Sequence, residues 1–427
     1  MDALEILRER GFLYQLTDEA AMGELLRKEQ VTFYTGFDPT ASSLHIGHLL
    51  PIMGMRWLQK CGHRPIALVG GGTALIGDPS GKTEARPISS KETIDQNIIG
   101  IKGQLARYLD FSEGKALLLN NGDWLRNMNL IDFLRDIGSL FSVPRMLTAE
   151  SVKLRLESGL SFLEFSYPLL QSYDFMYMCK HYNCRCQFGG QDQWGNIVAG
   201  VDLTRKVIGK EVFGATFPLL LKSDGTKFGK TAGGAVWLDL NRTSAFDYYQ
   251  FWRNTEDSAV KKLLGYYTTL PMDEVNRLGD LPSPQINRAK EILAYEATAL
   301  AHGHDVAIQA FLTAGNEFGF ADKEGAIPTT SRILEANKVS LEETIPSVEV
   351  KPSELPIGIL SLMVKAGLAK TNSEARRLVQ GGAVAINDAK IADEKFSVGA
   401  EQFTDNALTL KSGKKNRRRF LLAAKEE

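Results

Sequence analysis

The sequence predicts an α/β protein whose main domain is a doubly wound parallel sheet of the Rossmann type. Over the first half of the chain, short apolar segments that end in glycine alternate with longer segments of helical periodicity. The 427 residues are too many for one ordinary domain. The residue pattern changes twice further along, so we expect a helical domain and then a small α+β module after the sheet domain.

The first elements follow one another in the order strand, helix, strand. Residues 31–36 form an apolar segment ending in a glycine, 47–59 have helical spacing, and 65–70 form a second apolar strand. Further strand and helix candidates alternate in the same way at 116–119, 130–137, 162–179, 185–189 and 192–207. Ligands of such sheets bind at the carboxyl ends of the strands, so polar residues after these strands are candidate site residues.

We predict four consecutive regions. The sheet domain spans 1–225, and a flexible lysine loop with a helical domain rich in aromatic residues spans 226–321. A proline-containing connector covers 322–356, and the terminal α+β module covers 357–427.

Composition narrows the class of protein. Hydrophobic residues make up 44% and charged residues 24% of the chain, and the net charge is −1. This balance is that of a globular protein, and any nucleic-acid contact must come from local basic patches. The N-terminus does not read as a secretory signal, no apolar run is long enough to span a membrane, and cysteines are sparse. We therefore expect a cytoplasmic protein with no membrane contact.

The segment that joins the first strand to the first helix predicts a phosphate site. His45 and His48 are three residues apart and can share one face of the first turn, Thr40 supplies a hydroxyl just before it, and Gly47 leaves room for a nucleotide. A helix N-terminus adds oriented N–H groups. The alternatives are a helix cap with two surface histidines or, with less support from the spacing, a zinc site.

Two distant motifs carry a resemblance to a known family. His45-Ile-Gly-His48 resembles the HIGH motif of class I aminoacyl-tRNA synthetases, and Lys227-Phe-Gly-Lys230-Thr231 resembles their KMSKS motif. The second motif departs from the consensus at Phe228, Gly229 and Thr231 but keeps both lysines. The resemblance implies that Lys227 and Lys230 bind the β- and γ-phosphates of ATP.

A third basic pair lies in residues 77–86. Gly81-Lys82-Thr83 is reminiscent of a P-loop, but the glycine required five positions earlier is replaced by Ile76. A P-loop kinase is therefore excluded by the spacing. The resemblance to class I synthetases instead implies that Lys82 and Arg86 reach the pyrophosphate in the transition state.

The tyrosine-specific branch of the family is indicated by one predicted helix. Tyr167, Gln171 and Asp174 fall on one helix face, and apolar neighbours indicate that this face lines a cavity. In tyrosyl-tRNA synthetases, the residues that match Tyr167, Gln171 and Asp78 hold the substrate ammonium. Those that match Asp174 and Tyr34 bind the phenol oxygen. Gln187 and Gln193 also resemble tyrosine-pocket residues of that family.

The resemblance further implies ATP, accompanied by Mg²⁺, as a substrate. Glycines after the 185–189 strand allow adenosine to approach, and Asp192 suits the ribose hydroxyls. The predicted ATP-binding residues are Gly36, Asp38, His45, Gly47, His48, Gly189, Asp192, Lys227 and Lys230. We predict no metal site in the protein, because Cys179, Cys184 and Cys186 have the spacing of packed core residues rather than of zinc ligands.

The terminal module resembles a small RNA-binding module first known in a ribosomal small-subunit protein. Arg376 and Arg377 project from a short helix that Asn372 or Ser373 is predicted to cap. A basic run supplies further candidate RNA contacts: Lys414, Lys415, Arg417, Arg418 and Arg419.

These observations predict a tyrosine–tRNA ligase that acts on L-tyrosine, ATP and tRNA(Tyr). The family resemblance implies a homodimer. The alternatives are a tryptophan-specific relative or an RNA-binding protein with an inactive nucleotide site.

Overall fold

A computed structural model describes residues 2–80, 90–149, 152–153, 156, 159–221, 228–231, 234–336, 347–387, 389–413 and 416–423, with the main chain alone at 230, 231, 347, 416 and 417. These residues form two compact units, Met1–Ile333 and Leu334–Glu427. None of the described helices is long and apolar enough to cross a membrane.

The first unit is built around a six-stranded sheet with strand order β1-β6-β5-β2-β3-β4. Strands β2 to β6 are parallel, whereas β1 runs antiparallel at the edge. Its strands are β1 (Gln15–Leu16), β2 (Thr32–Phe37), β3 (Arg64–Val69), β4 (Leu117–Asn120), β5 (Cys184–Gly190) and β6 (Phe213–Phe217). The predicted Rossmann-type parallel sheet is confirmed, and the short antiparallel edge strand is an addition to it.

Helices pack around this sheet. They are α1 (Ala3–Glu9), α2 (Glu19–Lys28), α3 (Leu49–Lys60), α4 (Lys91–Leu105), α5 (Gly122–Leu125), α6 (Leu130–Asp136), α7 (Val143–Leu147), α8 (Phe162–Tyr182) and α9 (Trp194–Ile208). Strands β2 and β3 are buried along almost their whole length, as expected for parallel strands covered on both faces. Cys179 and Cys184 lie in the core beside Tyr34, and Cys186 is also buried.

Two predicted helices begin later than expected. The first starts at Leu49 rather than at residue 47, because Ile46–His48 form a tighter 3₁₀ turn. The helix after β5 starts at Trp194 rather than 192, because Gln191–Gln193 form a similar turn. Both turns place polar side chains at the edge of the sheet, just before a helix.

A short hairpin and a helical bundle follow. The hairpin pairs β7 (Lys230–Thr231) with β8 (Gly234–Ala235). The bundle contains α10 (Ala245–Arg253), α11 (Val260–Tyr267), α12 (Met272–Gly279), α13 (Ile286–His302) and α14 (His304–Phe318), and α15 (Ile333–Ala336) lies at the boundary of the two units. The core of the helical bundle is aromatic, and Tyr248, Tyr249 and Trp252 are completely buried in it.

The second unit has a five-stranded sheet of order β12-β11-β14-β15-β9. The elements of this unit are β9 (Ser347–Val350), β10 (Ile357–Gly358), α16 (Ile359–Lys365), α17 (Asn372–Gln380), β11 (Val384–Ile386), β12 (Ala389–Lys390), β13 (Ser397–Val398), β14 (Ala407–Ser412) and β15 (Asn416–Leu422). Strands β10 and β13 pair separately from the five-stranded sheet. Strand β9 pairs in parallel with β15, although it lies in the 322–356 range that the sequence assigns to a connector.

Candidate active site

A cavity of about 360 Å³ opens at the carboxyl ends of the parallel strands. The residues that follow β2, β3, β5 and β6 all contribute to its wall, among them Asp38, Gly70, Gln191 and Pro218. This is the edge of an open α/β sheet at which ligands bind, and it is the position that the sequence predicts.

The two histidines of the first motif line this cavity on the 3₁₀ turn. The Nδ1 atom of His45 accepts a hydrogen bond from the Gly47 N–H at 3.0 Å, and the Nδ1 atom of His48 accepts one from the His45 N–H at 3.2 Å. The ring centroids lie 4.0 Å apart. In a neutral ring this arrangement places the proton on Nε2, and an imidazole N–H is a donor of the kind that binds anions.

Gly47 is required by this geometry. A Cβ atom at this position would lie 2.7 Å from Cε1 of His45, well inside van der Waals contact. A larger residue would push the imidazole away and break the hydrogen bond that orients it.

The second motif reaches the first one in space. A Cβ atom built on Gly229 would lie 3.2 Å from the Gly47 nitrogen. The Gly229 carbonyl accepts a hydrogen bond from the Val236 N–H at 3.1 Å, and the Val236 carbonyl accepts one from the Ile46 N–H at 3.0 Å. Phe228 and Gly229 also line the cavity. The main chain of Lys230, which follows directly, is thus held beside the histidine turn.

Asp174 lies in the buried part of the same cavity. Its Oδ1 accepts a hydrogen bond from Nε1 of Trp124 at 2.7 Å, and its Oδ2 accepts one from Nδ2 of Asn121 at 2.9 Å. Burial raises the pKa of this carboxyl to about 7, and the nearby charge of Asp38 also raises it. The two hydrogen bonds lower the pKa but do not outweigh burial.

Tyr34 lies beside Asp174 and its hydroxyl is fully buried. Burial, with smaller contributions from Asp174 and Cys184, raises the pKa of this phenol well above its usual value. In the described part of the chain, neither the Tyr34 hydroxyl nor Oε1 of Gln187 has a hydrogen-bond partner. Since buried polar atoms are almost always paired, a polar ligand is expected to satisfy these two.

A second polar group surrounds Asp78. Its Oδ2 accepts a hydrogen bond from Nε2 of Gln193 at 2.6 Å, and its Oδ1 accepts one from the Ser80 N–H at 2.9 Å. Asn196 donates to Oε1 of Gln171 at 3.1 Å and to Oε1 of Gln193 at 3.2 Å. Among the described residues no lysine or arginine pairs with Asp78, so this end of the cavity suits a cation.

The structure brings most of the predicted site residues together. The cavity wall includes Tyr34, Gly36, Asp38, His45, Gly47, His48, Asp78, Tyr167, Gln171, Asp174, Gln187, Gly189, Asp192 and Gln193. Thr40 is exposed and is not part of this wall. Lys82, Arg86 and Lys227 lie outside the described residues, and of Lys230 only the main chain is described.

Sequence reasoning missed Asn121 and Trp124, the two donors to Asp174. They follow β4, whose end faces the same edge of the sheet as β2 and β3. Their position directly after a strand is the feature of the sequence that could have identified them, because residues after parallel strands are candidate ligand contacts. Asn121 is itself fixed, because its Oδ1 accepts from the Gly72 N–H at 2.7 Å.

In the second unit, helix α17 carries Arg376 and Arg377 on its exposed side. The predicted caps are wrong by one or two residues, since Thr371 caps the helix and accepts a hydrogen bond from the Glu374 N–H at 3.2 Å. Arg376 forms an ion pair with Glu394 at 3.3 Å.

Of the predicted basic run, Arg418 and Arg419 are half-buried on β15. Arg418 donates from Nε to the Ala366 carbonyl at 3.0 Å, so part of its side chain is used within the unit. Only the main chain of Arg417 is described, and Lys414 and Lys415 lie outside the described residues.

Comparison with known proteins identifies the family. Residues 26–318 match the family described as tRNA synthetases class I (W and Y), and residues 338–420 match the tyrosine–tRNA ligase SYY-like C-terminal domain. The chain is 49% identical to the tyrosine–tRNA ligase of Desulfosudis oleivorans over 422 residues, which cover 97% of this chain and 98% of the relative. The chain belongs to the tyrosine–tRNA ligase family. The tyrosine–tRNA ligase of Clostridium tetani is 46% identical, with 99% of both chains covered.

Solved structures agree with this family. A C-terminally truncated mitochondrial tyrosyl-tRNA synthetase of Aspergillus nidulans has a TM-score of 0.67 and 32% identity, covering 74% of this chain and 94% of that one. The tryptophanyl-tRNA synthetase of Plasmodium falciparum has a TM-score of 0.52 and 14% identity, covering 71% of this chain and 84% of that one, and shows only a shared fold. The two relatives that match this chain over nearly its full length are both tyrosine–tRNA ligases.

Proposed function

We propose that this chain activates L-tyrosine with ATP, forming tyrosyl-adenylate and pyrophosphate, and then transfers tyrosine to the 3′ end of tRNA(Tyr). The observation that carries the proposal is the shared cavity. A buried Asp174 with Tyr34 lies in the same cavity as the histidine turn and the segment of the second motif.

The tyrosine end of the cavity recognises two groups of the substrate. The Asp174 carboxylate and the Tyr34 hydroxyl bind the phenol oxygen. The Tyr34 hydroxyl is buried and has no partner among the residues that the structure describes, so phenylalanine would leave it unpaired. At the other end of the tyrosine molecule, the ammonium group is bound by Asp78, Tyr167 and Gln171. The hydrogen bonds of Gln193 and Asn196 hold Asp78 and Gln171 for that contact.

The nucleotide end works by positioning and electrostatics. The carboxylate of tyrosine is already ionised at neutral pH, so it attacks the α-phosphorus of ATP without a general base. Pyrophosphate leaves as negative charge develops, and the Nε2–H donors of His45 and His48 are suited to stabilise it. We assign the same role, stabilising the charge on the leaving pyrophosphate, to four residues of the neighbouring loops: Lys82, Arg86, Lys227 and Lys230.

The other nucleotide contacts are assigned from family resemblance and position. Asp192 binds the ribose hydroxyls, and Gly36, Asp38, Gly47 and Gly189 form the surface against the nucleotide. Thr40 is assigned to the phosphates, although it lies outside the cavity wall. Mg²⁺ enters with ATP, as part of that substrate.

A homodimer is proposed from the exposed apolar surface. More than half of the exposed large apolar side chains in the described residues lie between residues 130 and 163: Leu130, Ile131, Leu134, Leu140, Val143, Leu147, Leu156, Phe162 and Leu163. Phe162 is the most exposed, with 78% of its surface open. Concentrations of apolar surface of this kind mark protein interfaces.

The second unit is proposed to bind tRNA. Its exposed Arg376 and Arg377 and the basic residues at 414–419 offer contacts to RNA phosphates. The proposed setting is the cytoplasm, where the four free cysteines remain reduced.

Amino-acid-dependent ATP–pyrophosphate exchange with all twenty amino acids tests the proposed activity. Tyrosine is expected to support exchange far above every other amino acid, with tryptophan and phenylalanine near background. Exchange that depends on tryptophan would show a tryptophan-specific enzyme instead. Absence of exchange with every amino acid would overturn the proposed activity.

A further inference from the structure

Trp237 lies between the first motif and a turn of the helical domain. Its main chain forms an antiparallel bridge with His45, flanked by hydrogen bonds from the Ile46 N–H to the Val236 carbonyl at 3.0 Å and from the Leu238 N–H to the Leu44 carbonyl at 2.9 Å. The rings of His45 and Trp237 meet edge to face, with centroids 5.7 Å apart and planes at 74°. The indole therefore packs directly against the imidazole of His45.

A cation covers the indole ring. The Cζ atom of Arg242 lies 3.3 Å from the centroid of the Trp237 ring, which is a close cation–π contact. His48, His45, Trp237 and Arg242 thus follow one another in a continuous series of ring contacts. Arg242 is exposed and Trp237 half-buried, so this series reaches from the nucleotide cavity to the surface.

The turn that carries Arg242 is fixed by its own hydrogen bonds. The Trp237 N–H donates to Oγ1 of Thr243 at 2.9 Å, and the Arg242 N–H donates to the Asp239 carbonyl at 3.0 Å. Ser244 then caps α10. Residues 236–243 are consequently tied to the first motif at one end and to the helical bundle at the other.

We propose that Trp237 is a positioning residue for tyrosine activation, holding the His45 imidazole against the leaving phosphates, and that Arg242 holds the indole in turn. This inference rests on the proposed function of His45. Small displacements of a group that contacts the reacting phosphates slow a reaction far more than they weaken the binding of a substrate bound elsewhere. Among the described residues, Trp237 does not line the cavity around His45 and its ring instead contacts the imidazole, so its proposed role is exerted through His45.

A double-mutant cycle tests the inference. Trp237→Leu is expected to lower kcat of tyrosine-dependent pyrophosphate exchange by roughly 10- to 100-fold, while tyrosine affinity stays unchanged. Arg242→Met is expected to lower kcat in the same direction by a smaller factor. In the His45→Ala background, Trp237→Leu is expected to cause no further loss, because both substitutions remove the same positioned group.

The controls separate this role from a general effect on folding. Trp237→Phe keeps an aromatic edge and is expected to recover most of the rate lost in Trp237→Leu. Lys60→Met removes a similar cation–π contact, at 4.8 Å from the Trp57 ring outside the cavity wall, and is expected to leave kcat unchanged. If Trp237→Leu fails to fold, Arg242→Met is combined with His45→Ala instead, and again no further loss is expected in the double variant.

Two results would overturn separate parts of the argument. Losses that multiply in the double variant would show that Trp237 acts independently of His45, which ends the inference. A His45→Ala protein with an unchanged rate would instead remove the proposed role of His45, whatever the result for Trp237.

Discussion

At the residue scale, the carboxylate of Asp174 is exceptional because it is 2% exposed and accepts hydrogen bonds from two side chains, yet has no cationic partner among the described residues. Its neighbour Tyr34 contributes a buried hydroxyl that has no hydrogen-bond partner within the described part of the chain. A phenol that enters between these groups would complete their hydrogen bonding. In the proposed site, the selection of tyrosine would therefore depend on a few buried polar atoms rather than on the shape of an apolar pocket.

Asp174→Asn is expected to reduce the ratio of kcat/KM for tyrosine to that for phenylalanine by roughly 10- to 100-fold, because a hydrogen bond to a charged group contributes about 1.5–3 kcal/mol. Pyrophosphate exchange with each amino acid measures this ratio. Asp192→Asn is the matched control, since loss of a ribose contact should affect both amino acids equally. An unchanged ratio in Asp174→Asn would contradict the assignment of the phenol site.

Tyrosine binding is expected to depend on pH through Asp174. Its pKa is raised to about 7, so the carboxyl becomes protonated as the pH falls through this value and no longer accepts the phenol proton as a carboxylate. Tyrosine affinity should therefore fall as the pH decreases from about 8 to about 6, whereas phenylalanine affinity should not. Calorimetric titration at several pH values measures both.

Two variants test the origin of this pH dependence. Asp174→Asn should abolish it. Trp124→Phe should move the midpoint to higher pH, because it removes a hydrogen bond that stabilises the charged carboxylate. A midpoint common to tyrosine and phenylalanine would show that another group titrates.

Tyr167, Gln171 and Asp174 could be placed together from the sequence because helical spacing alone puts them on one face. Asn121 and Trp124 could not be placed, because their contact with Asp174 depends on how β4 and α8 pack. No local pattern specifies that long-range packing, so only the position of both residues after a strand gave a hint.

At the element scale, the important junction is between the histidine turn and the segment 228–238. Gly229 has a positive φ of 90°, which a side chain rarely adopts, and its α-carbon faces the backbone of Gly47. This close approach brings the second motif to the first without any covalent link. The sequence predicted a flexible loop here, but could not show that its glycine is a contact surface.

Gly229→Ala is expected to separate these two elements, because the new Cβ would lie 3.2 Å from the Gly47 nitrogen and 3.4 Å from Cβ of Ile46. We expect a fall in kcat for pyrophosphate exchange with unchanged tyrosine affinity. Gly234→Ala is the matched control, since that glycine also has a positive φ, 104°, but its Cβ would have no neighbour within 4 Å. Equal losses in both variants would indicate backbone strain rather than the contact.

At the scale of the whole molecule, the chain divides into a unit that holds all the described residues of the cavity wall and a unit that holds the basic module. The order of the two family matches, 26–318 and then 338–420, agrees with the order that the sequence predicts for the catalytic part and the terminal module. The boundary was harder to predict, because β9 is a short strand that can be recognised only by its pairing with β15.

Ending the chain at Ala336 is expected to leave tyrosyl-adenylate formation near its full rate and to impair tRNA charging severely. The cavity and all its described wall residues lie before this point. Exchange and charging assays on the same preparation measure the two steps. Arg376→Gln with Arg377→Gln in the full chain is the matching point variant, and normal charging in both proteins would contradict the RNA-binding role.

Phe162→Glu is expected to weaken self-association, because it places a charge in the exposed apolar surface between residues 130 and 163. Sedimentation velocity over a range of concentrations measures the effect. Ile99→Glu is the control, since Ile99 is 75% exposed but lies on α4, outside that surface. An unchanged dimer in Phe162→Glu, or a monomeric parent protein, would contradict the proposed interface.

The parallel pairing of β9 with β15 affects how the terminal unit can be studied alone. A fragment that begins at Ile357 would lack β9 and leave the outer hydrogen-bonding edge of β15 uncovered. An uncovered edge strand invites pairing between copies, so that fragment should aggregate. A fragment beginning ahead of Ser347 supplies its own edge strand and should remain monodisperse enough for direct titration with RNA.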